Sequence, residues 1–217
     1  MYQALLFDLD GVLLDTERRN CGIWQDYFRE NFDYDLDPKT YAEVCGATPE
    51  MFDALMETLP GGAEGLHNTW VREVNSQLEK GIVPRNAGYE NLYAYLQTYP
   101  AKKAIVTSNG GAWVDAYGDI CGFHDIFDLI FTGMMVENRK PAPDPYLRAC
   151  GILGVEPEKC IAVEDSLWGI LAAQRAGVPV LHMQGMTEIP EDVAEKCVGH
   201  VKDLDDVVAF LKLRGST

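Results

Sequence analysis

Short apolar runs that end in polar clusters recur along the chain. Ala4–Phe7 runs into Asp8, Ala104–Val106 into Thr107, Leu129–Phe131 into Thr132 and Gly133, and Ile161–Val163 into Glu164 and Asp165; Pro179–Leu181 makes a fifth run. None alternates with polar residues, the pattern of strands buried on both faces of a parallel sheet. Helical periodicity fills the intervals. Leu92, Tyr95 and Leu96 share a face within Asn91–Leu96, Pro145 opens Pro145–Leu153 at a first turn, and Leu204–Leu213 reads as a last amphipathic helix. Ser166–Gly177 is the clearest, with Ser166 as cap and Gly177 as terminator. Strand–helix alternation of this kind predicts an α/β fold, a Rossmann-like doubly wound parallel sheet.

From Thr16 to about Lys80 the rhythm changes. Ile23, Trp24, Tyr27 and Phe28, then Met51, Phe52, Leu55 and Met56, keep helical spacing, but no buried-strand run intervenes. Pro38, Pro49 and the loop Leu59-Pro60-Gly61-Gly62 divide the stretch into about four helices. The reading is an inserted α-helical cap domain at 16–80, joined by hinges near Leu14–Thr16 and Lys80–Pro84 to an α/β core at 1–15 and 81–217.

Charge narrows the partners. With 18 Lys and Arg against 34 Asp and Glu among 217 residues, the net charge is −16. Such a surface repels nucleic acid and anionic membrane, so neither is expected as a partner. No apolar run reaches a membrane span, and the start MYQALLFDLD lacks the charged front and cleavage site of a signal peptide. Six cysteines form no CxxC pair, which with the missing export signal reads as reduced thiols in a cytoplasmic protein, mostly core filler. The four histidines fall in no motif and read as structural.

Open α/β sheets bind ligands at the carboxyl ends of their strands. Here those ends carry Asp8, Asp10, Thr107, Glu164 and Asp165, with Lys140 in the loop after the third run. Four carboxylates in one crevice repel one another unless some are protonated or a divalent metal sits among them, and an oxygen-only ligand set favours Mg²⁺. Asp8 and Asp10, two residues apart at a strand end, point to the same side, so one can attack while the other moves a proton. Plainer readings stand beside these: DxD is a common turn pattern, Lys140 could be a solvated lysine, Thr107 a helix cap, Glu164 a supporting residue, and Ser166 a cap rather than a reactant.

Four ordered motifs carry a resemblance. FDLDGVLLDTE is similar to the first motif of the haloacid dehalogenase-like superfamily, Val106-Thr107-Ser108-Asn109 to the second, Lys140 in RKPAPDPY to the third, and Val163-Glu164-Asp165-Ser166 with GILAAQRAG to the fourth. The resemblance spans the whole chain, and the insertion falls where one subgroup carries a helical cap. It implies that Asp8 is the nucleophile forming an aspartyl-phosphate and that Asp10 protonates the leaving oxygen and then activates water. It implies Mg²⁺ held by Asp8, the Asp10 carbonyl and Asp165, with Glu164 supporting. Thr107 and the Ser108 amide, with Asn109 beside them, would bind the phosphoryl oxygens, and Lys140 would neutralise charge.

Retention of Asp10 argues against the dehalogenase and phosphonatase branches, leaving a phosphatase or a β-phosphoglucomutase-like phosphomutase. The segment 16–80 is acidic, with six Lys or Arg against thirteen Asp or Glu. The mutases carry an arginine where this chain has Pro49 and a histidine where it has Asn20, while Arg72 falls where a mutase lysine stands. The expectation is therefore a phosphatase acting on a small, sugar-like phosphorylated metabolite, as a monomer. Asn20, Trp24, Gly46, Ala47, Thr48 and Arg72 are the candidate cap contacts. A non-enzymatic phospho-acceptor of the receiver kind shares the carboxylates, Thr and Lys, but is far shorter and lacks the insertion.

Overall fold

The computed structural model describes residues 1–45 and 49–215. Among these, six strands form one parallel sheet: β1 (Ala4–Phe7), β2 (Lys102–Val106), β3 (Leu129–Phe131), β4 (Cys160–Glu164), β5 (Val180–Met183) and β6 (Gly199–Val201), in the order β3-β2-β1-β4-β5-β6. The chain winds outward from β1 in one direction and then, from β4, in the other. The order therefore reverses beside β1, and the crevice for a ligand lies at the carboxyl ends of β1, β2 and β4. The expected doubly wound fold is what forms.

Helices α1 (Thr16–Phe32), α2 (Pro38–Ala42), α3 (Pro49–Met56) and α4 (Glu64–Glu79) all fall between β1 and β2. The sheet helices are α5 (Tyr89–Thr98), α6 (Gly111–Cys121), α7 (Asp144–Leu153), α8 (Leu167–Arg175), α9 (Glu191–Ala194) and α10 (Leu204–Gly215). Strand periodicity sorts the core into two layers. Leu5, Phe7, Ile105, Ile161, Val163 and Leu181 pack on one face against α5, α6 and α10. Ala4, Leu6, Ala104, Val106, Ala162 and Val180 face α7 and α8, where small residues leave room for the buried ring of Tyr146. Complete burial of each Leu, Ile or Phe contributes roughly 2 kcal/mol, which is why four-residue strands hold.

The helical segment has its own core of Cys21, Trp24, Tyr27, Phe28, Leu36, Tyr41, Met56, Leu59 and Leu66. Its two connections lie side by side: the Asp15 N–H donates to Pro84 O at 2.8 Å, and the Asn86 N–H to Leu13 O at 3.1 Å. Ser166 caps α8 as expected, its Oγ accepting from the Gly169 N–H at 3.1 Å. The pattern missed β6, α6 and α9. Gly199-His200-Val201 has no apolar run because it is the half-covered edge of the sheet, and α6 opens on the Gly110-Gly111 pair, which reads as a breaker.

Candidate active site

The carboxyl ends of β1, β2 and β4 open into a cavity of about 340 Å³, roofed by side chains of α1, α3, α4 and the segment around α2. On its floor Lys140, 5% exposed, uses its three protons on three acceptors. Its Nζ donates to Asp8 Oδ1 at 2.6 Å, Glu164 Oε1 at 2.7 Å and Val106 O at 2.8 Å. Glu164 is in turn held by the Tyr146 hydroxyl, which donates to Oε1, and by Ser166 Oγ, 3.5 Å from Oε2. A buried lysine pinned this way is fixed in position, not solvated. Burial lowers its pKa, but the charges of Asp8 and Glu164 outweigh that and hold it above the ordinary lysine value.

Asp8 and Asp10 diverge in environment, although both project from the end of β1. Burial drives the Asp8 pKa well above the usual carboxylate range; Lys140 pulls it down, while Glu164 and Asp10 push it up again. Asp10 sits among hydroxyl and amide donors instead. Thr16 Oγ1 donates to its Oδ1 at 2.6 Å, and Thr107 Oγ1 and Asn109 Nδ2 approach its Oδ2 at 3.4 and 3.3 Å. Thr107 Oγ1 also accepts the Asn109 N–H at 3.0 Å, which shapes the loop after β2. Ser108 and Asn109 line the same cavity wall.

Asp165 closes the site from the end of β4. Its pKa lies well above the ordinary value, first through burial and then through Asp8 and Glu164. Its Oδ1 is buried without a hydrogen-bond partner, and one carboxylate oxygen from each of Asp8, Glu164 and Asp165 falls within 4.8 Å of the others. An orphaned carboxylate oxygen inside an oxygen-only cluster answered by one lysine fits a hard divalent cation such as Mg²⁺. Gly11 makes room for this arrangement. At φ +85° its backbone is in the left-handed region, and a Cβ there would lie 2.0 Å from Asp165 Oδ2.

The remaining candidates divide. Asn20 and Trp24 line the roof of the cavity. Arg72 does not: it is exposed on α4, and its Nε pairs with Glu73 at 3.4 Å. It is not among the residues lining the cavity in this structure, where the expected cap-side cation would stand. Gly46, Ala47 and Thr48 lie outside the described residues. His67 and Cys45, read as structural from the sequence, line the cavity.

Thr16, Glu17, Tyr41 and Tyr146, all neighbours of the candidate residues, went unmarked. Thr16 orients Asp10 and Tyr146 holds Glu164. Tyr41 and Cys45 both donate to Glu17 Oε2, at 2.6 and 3.5 Å. Thr16 and Glu17 belong to the FDLDGVLLDTE stretch itself, so proximity to the aspartates was the signal that could have found them. Tyr41 and Tyr146 carry none, since an isolated tyrosine in a helix reads as core.

Known proteins align with this architecture. The family model for haloacid dehalogenase-like hydrolases matches residues 5–183. Validoxylamine A 7'-phosphate phosphatase of Streptomyces hygroscopicus subsp. limoneus is 30% identical over 210 residues, covering 95% of this chain and 96% of the relative. Fructose-1-phosphate phosphatase YqaB of Escherichia coli is 26% identical over 188 residues, 84% of this chain and 97% of the relative. The crystal structure of CbbY from Rhodobacter sphaeroides in complex with phosphate superposes with a TM-score of 0.73 at 27% identity, covering 93% of this chain and 94% of that one. A mutant of the same protein was crystallised with xylulose-(1,5)bisphosphate and gives a TM-score of 0.71 at 26% identity, with the same coverage. With its sheet order, its strand-end acids and a family match over most of its length, the chain belongs to the haloacid dehalogenase-like hydrolases.

Proposed function

We propose that the protein is a Mg²⁺-dependent phosphatase that hydrolyses a small phosphorylated metabolite through an aspartyl-phosphate on Asp8. Residues 1–15 and 81–217 act as the catalytic core and residues 16–80 as a cap over it. The reading rests above all on Lys140 bridging Asp8 and Glu164 on the floor of a cavity that Asp10, Thr107 and Asp165 also line.

The Asp8 oxygen not held by Lys140 attacks phosphorus. The bond from phosphorus to the ester oxygen breaks, its electron pair stays on that oxygen, and Asp10 supplies the proton that makes it an alcohol. Asp10, now a carboxylate, takes a proton from water as the water adds to the phosphoryl group. The Asp8–phosphorus bond then breaks, and inorganic phosphate and the Asp8 carboxylate result. Thr16 and Asn109 hold Asp10 in line for both transfers. Thr107, Ser108 and Lys140 face the phosphoryl oxygens with hydrogen-bond donors and positive charge, so that most of the rate comes from positioning and electrostatics. Asp8, Asp165 and the Asp10 carbonyl would hold Mg²⁺, with Glu164 supporting; the ion would neutralise phosphoryl charge.

Sustained release of phosphate from p-nitrophenyl phosphate, dependent on added Mg²⁺ and abolished by EDTA, is the expected result. A single stoichiometric phosphorylation without turnover would favour a phospho-acceptor instead. Conversion of β-glucose 1-phosphate to glucose 6-phosphate faster than phosphate release would favour a mutase.

Thermal melts supply an independent check. Asp8 and Asp165 have pKa values raised by folding. Without metal the folded state thus holds protons that the unfolded chain gives up near pH 4, and stability falls as pH rises above that range. Mg²⁺ binds the deprotonated acids, so its gain in Tm is expected to be larger at pH 8 than at pH 5. Equal gains at both would place the ion elsewhere.

A further inference from the structure

Cys150 and Cys160 bring their sulfurs to 3.5 Å between α7 and β4. Ten positions separate them in the chain, so no short cysteine motif marks the pair. The fold assembles it. Cys150 lies one turn beyond Tyr146 on the buried face of α7, Cys160 is the first residue of β4, and both belong to the apolar layer on that side of the sheet. Other thiols are differently engaged: Cys45 donates to Glu17 and to Tyr41 O, and Cys197 to Val193 O. No second pair of cysteine sulfurs comes this close among the described residues.

The pair is buried but lies just beneath the surface. The loop that joins α7 to β4 exposes Gly154, Glu156, Glu158 and Lys159, and Cys160 Sγ reaches the Glu156 carbonyl at 3.4 Å. Opening this one loop, without opening the sheet, admits a small oxidant. A disulfide places its sulfurs about 2.0 Å apart, so a further approach of roughly 1.5 Å is needed, which side-chain rotation and a small shift of the helix supply. The two thiols are not equivalent. The hydrogen bond with Cys160 holds the Cys150 pKa below the ordinary thiol value against the opposing effect of burial, while the same contact and burial both raise that of Cys160. Cys150 is the better attacking sulfur, and Cys160 is placed to follow it.

We propose that Cys150 and Cys160 form a redox modification site, a dithiol that hydrogen peroxide converts to a disulfide stapling α7 to β4. In the first step the Cys150 thiolate attacks one peroxide oxygen. The S–O bond forms, the O–O bond breaks, and the departing hydroxide takes up the proton that Cys150 gave up, leaving a sulfenic acid and water. Cys160 then attacks that sulfur. The S–S bond forms, the S–O bond breaks, and the hydroxide leaves as water with the Cys160 proton. Two thiols are oxidised and one peroxide is reduced to two waters. The staple joins the elements that build the floor of the candidate site, since α7 presents the Tyr146 hydroxyl to Glu164 at the other end of β4. Cys160 and Glu164 are the first and last of the five residues of β4, about 13 Å apart at the ordinary rise of a strand, so the bond braces the floor from its far side.

The test treats the reduced, folded protein with hydrogen peroxide, blocks the remaining thiols and digests it with trypsin in the absence of reductant. Cleavage after Arg148, Lys159 and Arg175 separates the two sulfurs, so the disulfide is expected as residues 149–159 joined to residues 160–175, lighter by two hydrogens than the sum of the two peptides. Dithiothreitol should release them, which distinguishes the bond from methionine sulfoxide. The Tm of the oxidised protein should rise by about 5–10 °C and fall back on reduction, the gain expected for closing so short a loop. Cys160→Ser should stop at the Cys150 sulfenic acid, trapped by dimedone, and Cys150→Ser should form neither product; peroxide should raise the Tm of neither variant. Three results on the wild type alone overturn the proposal: joined peptides only when peroxide is added to unfolded protein, Cys150 joined to a different cysteine, or a joined pair with no gain in Tm. Equal dimedone labelling of the two variants would overturn the assignment of Cys150 as the attacking sulfur.

Discussion

Asp8→Asn is expected to reduce phosphate release from any ester by at least about 10⁴-fold, the scale seen when an attacking group is removed from a hydrolytic site. The substitution is nearly isosteric and its site is buried, so the loss is not expected to come from unfolding. Folding already holds the Asp8 pKa well above the ordinary carboxylate value, chiefly through burial, which means the fold favours an uncharged group at this position. An amide satisfies that preference, and without Mg²⁺ the variant should melt no lower than the wild type. Lys140 keeps two acceptors, Glu164 and Val106 O, after the exchange. Two further measurements make the result specific. Acid-quenched wild-type enzyme should carry a hydroxylamine-labile phosphoryl label on the peptide containing Asp8, and the variant should carry none. Mg²⁺ should raise the variant's Tm less, because one of three converging carboxylates has gone. A rate within about 10-fold of the wild type would move the nucleophile to another residue.

What could be read in advance follows from how each feature is encoded. Ala4–Phe7 and Ile161–Val163 are visible because strands buried on both sides must be continuously apolar, and the same burial makes the polar residue at their ends conspicuous. Asp8, Asp10, Thr107 and Asp165 were found by that contrast, since a charged residue directly after a core strand is costly unless it is used. Lys140 is different. It sits on a loop with no periodicity, marked by its place after the third run and by the RKPAPDPY resemblance. The cavity roof was least legible because helical spacing cannot tell a ring facing the core from a ring facing a ligand. Trp24 does both, packing with Phe28 in the helical core while lining the cavity. Arg72 shows the opposite case: its alignment position named it as a contact, while on α4 its side chain is exposed beside Glu73. Glu17 escaped notice because acidic residues in the first turn of a helix are ordinarily explained by the helix dipole.

Lys140→Met carries the second large effect, and it separates positioning from stability. The change removes the only cation in contact with Glu164 and Asp8 among the described ion pairs, leaving Glu164, fully buried, with the Tyr146 and Ser166 hydroxyls alone. Breaking a buried pair by deleting one partner typically costs about 3–5 kcal/mol. For a domain of this size each kcal/mol lowers Tm by roughly 2–4 °C, so a drop of about 6–20 °C is expected. Activity should fall by about 10²–10³-fold, mainly in kcat, because the ammonium acts where charge builds on the transferring group and on Asp8. Pairing the substitution with Glu164→Gln distinguishes the two losses. With both changes the Glu164 position is neutral and hydroxyl-bonded and Asp8 loses a like-charged neighbour along with its cation, so part of the Tm should return, as replacing an entire buried pair costs far less than halving it. Activity should not return, since Gln restores no positive charge beside Asp8. If the double variant regained turnover along with its Tm, Lys140 would be a structural counter-ion for Glu164 and the phosphoryl group would find its compensating charge elsewhere.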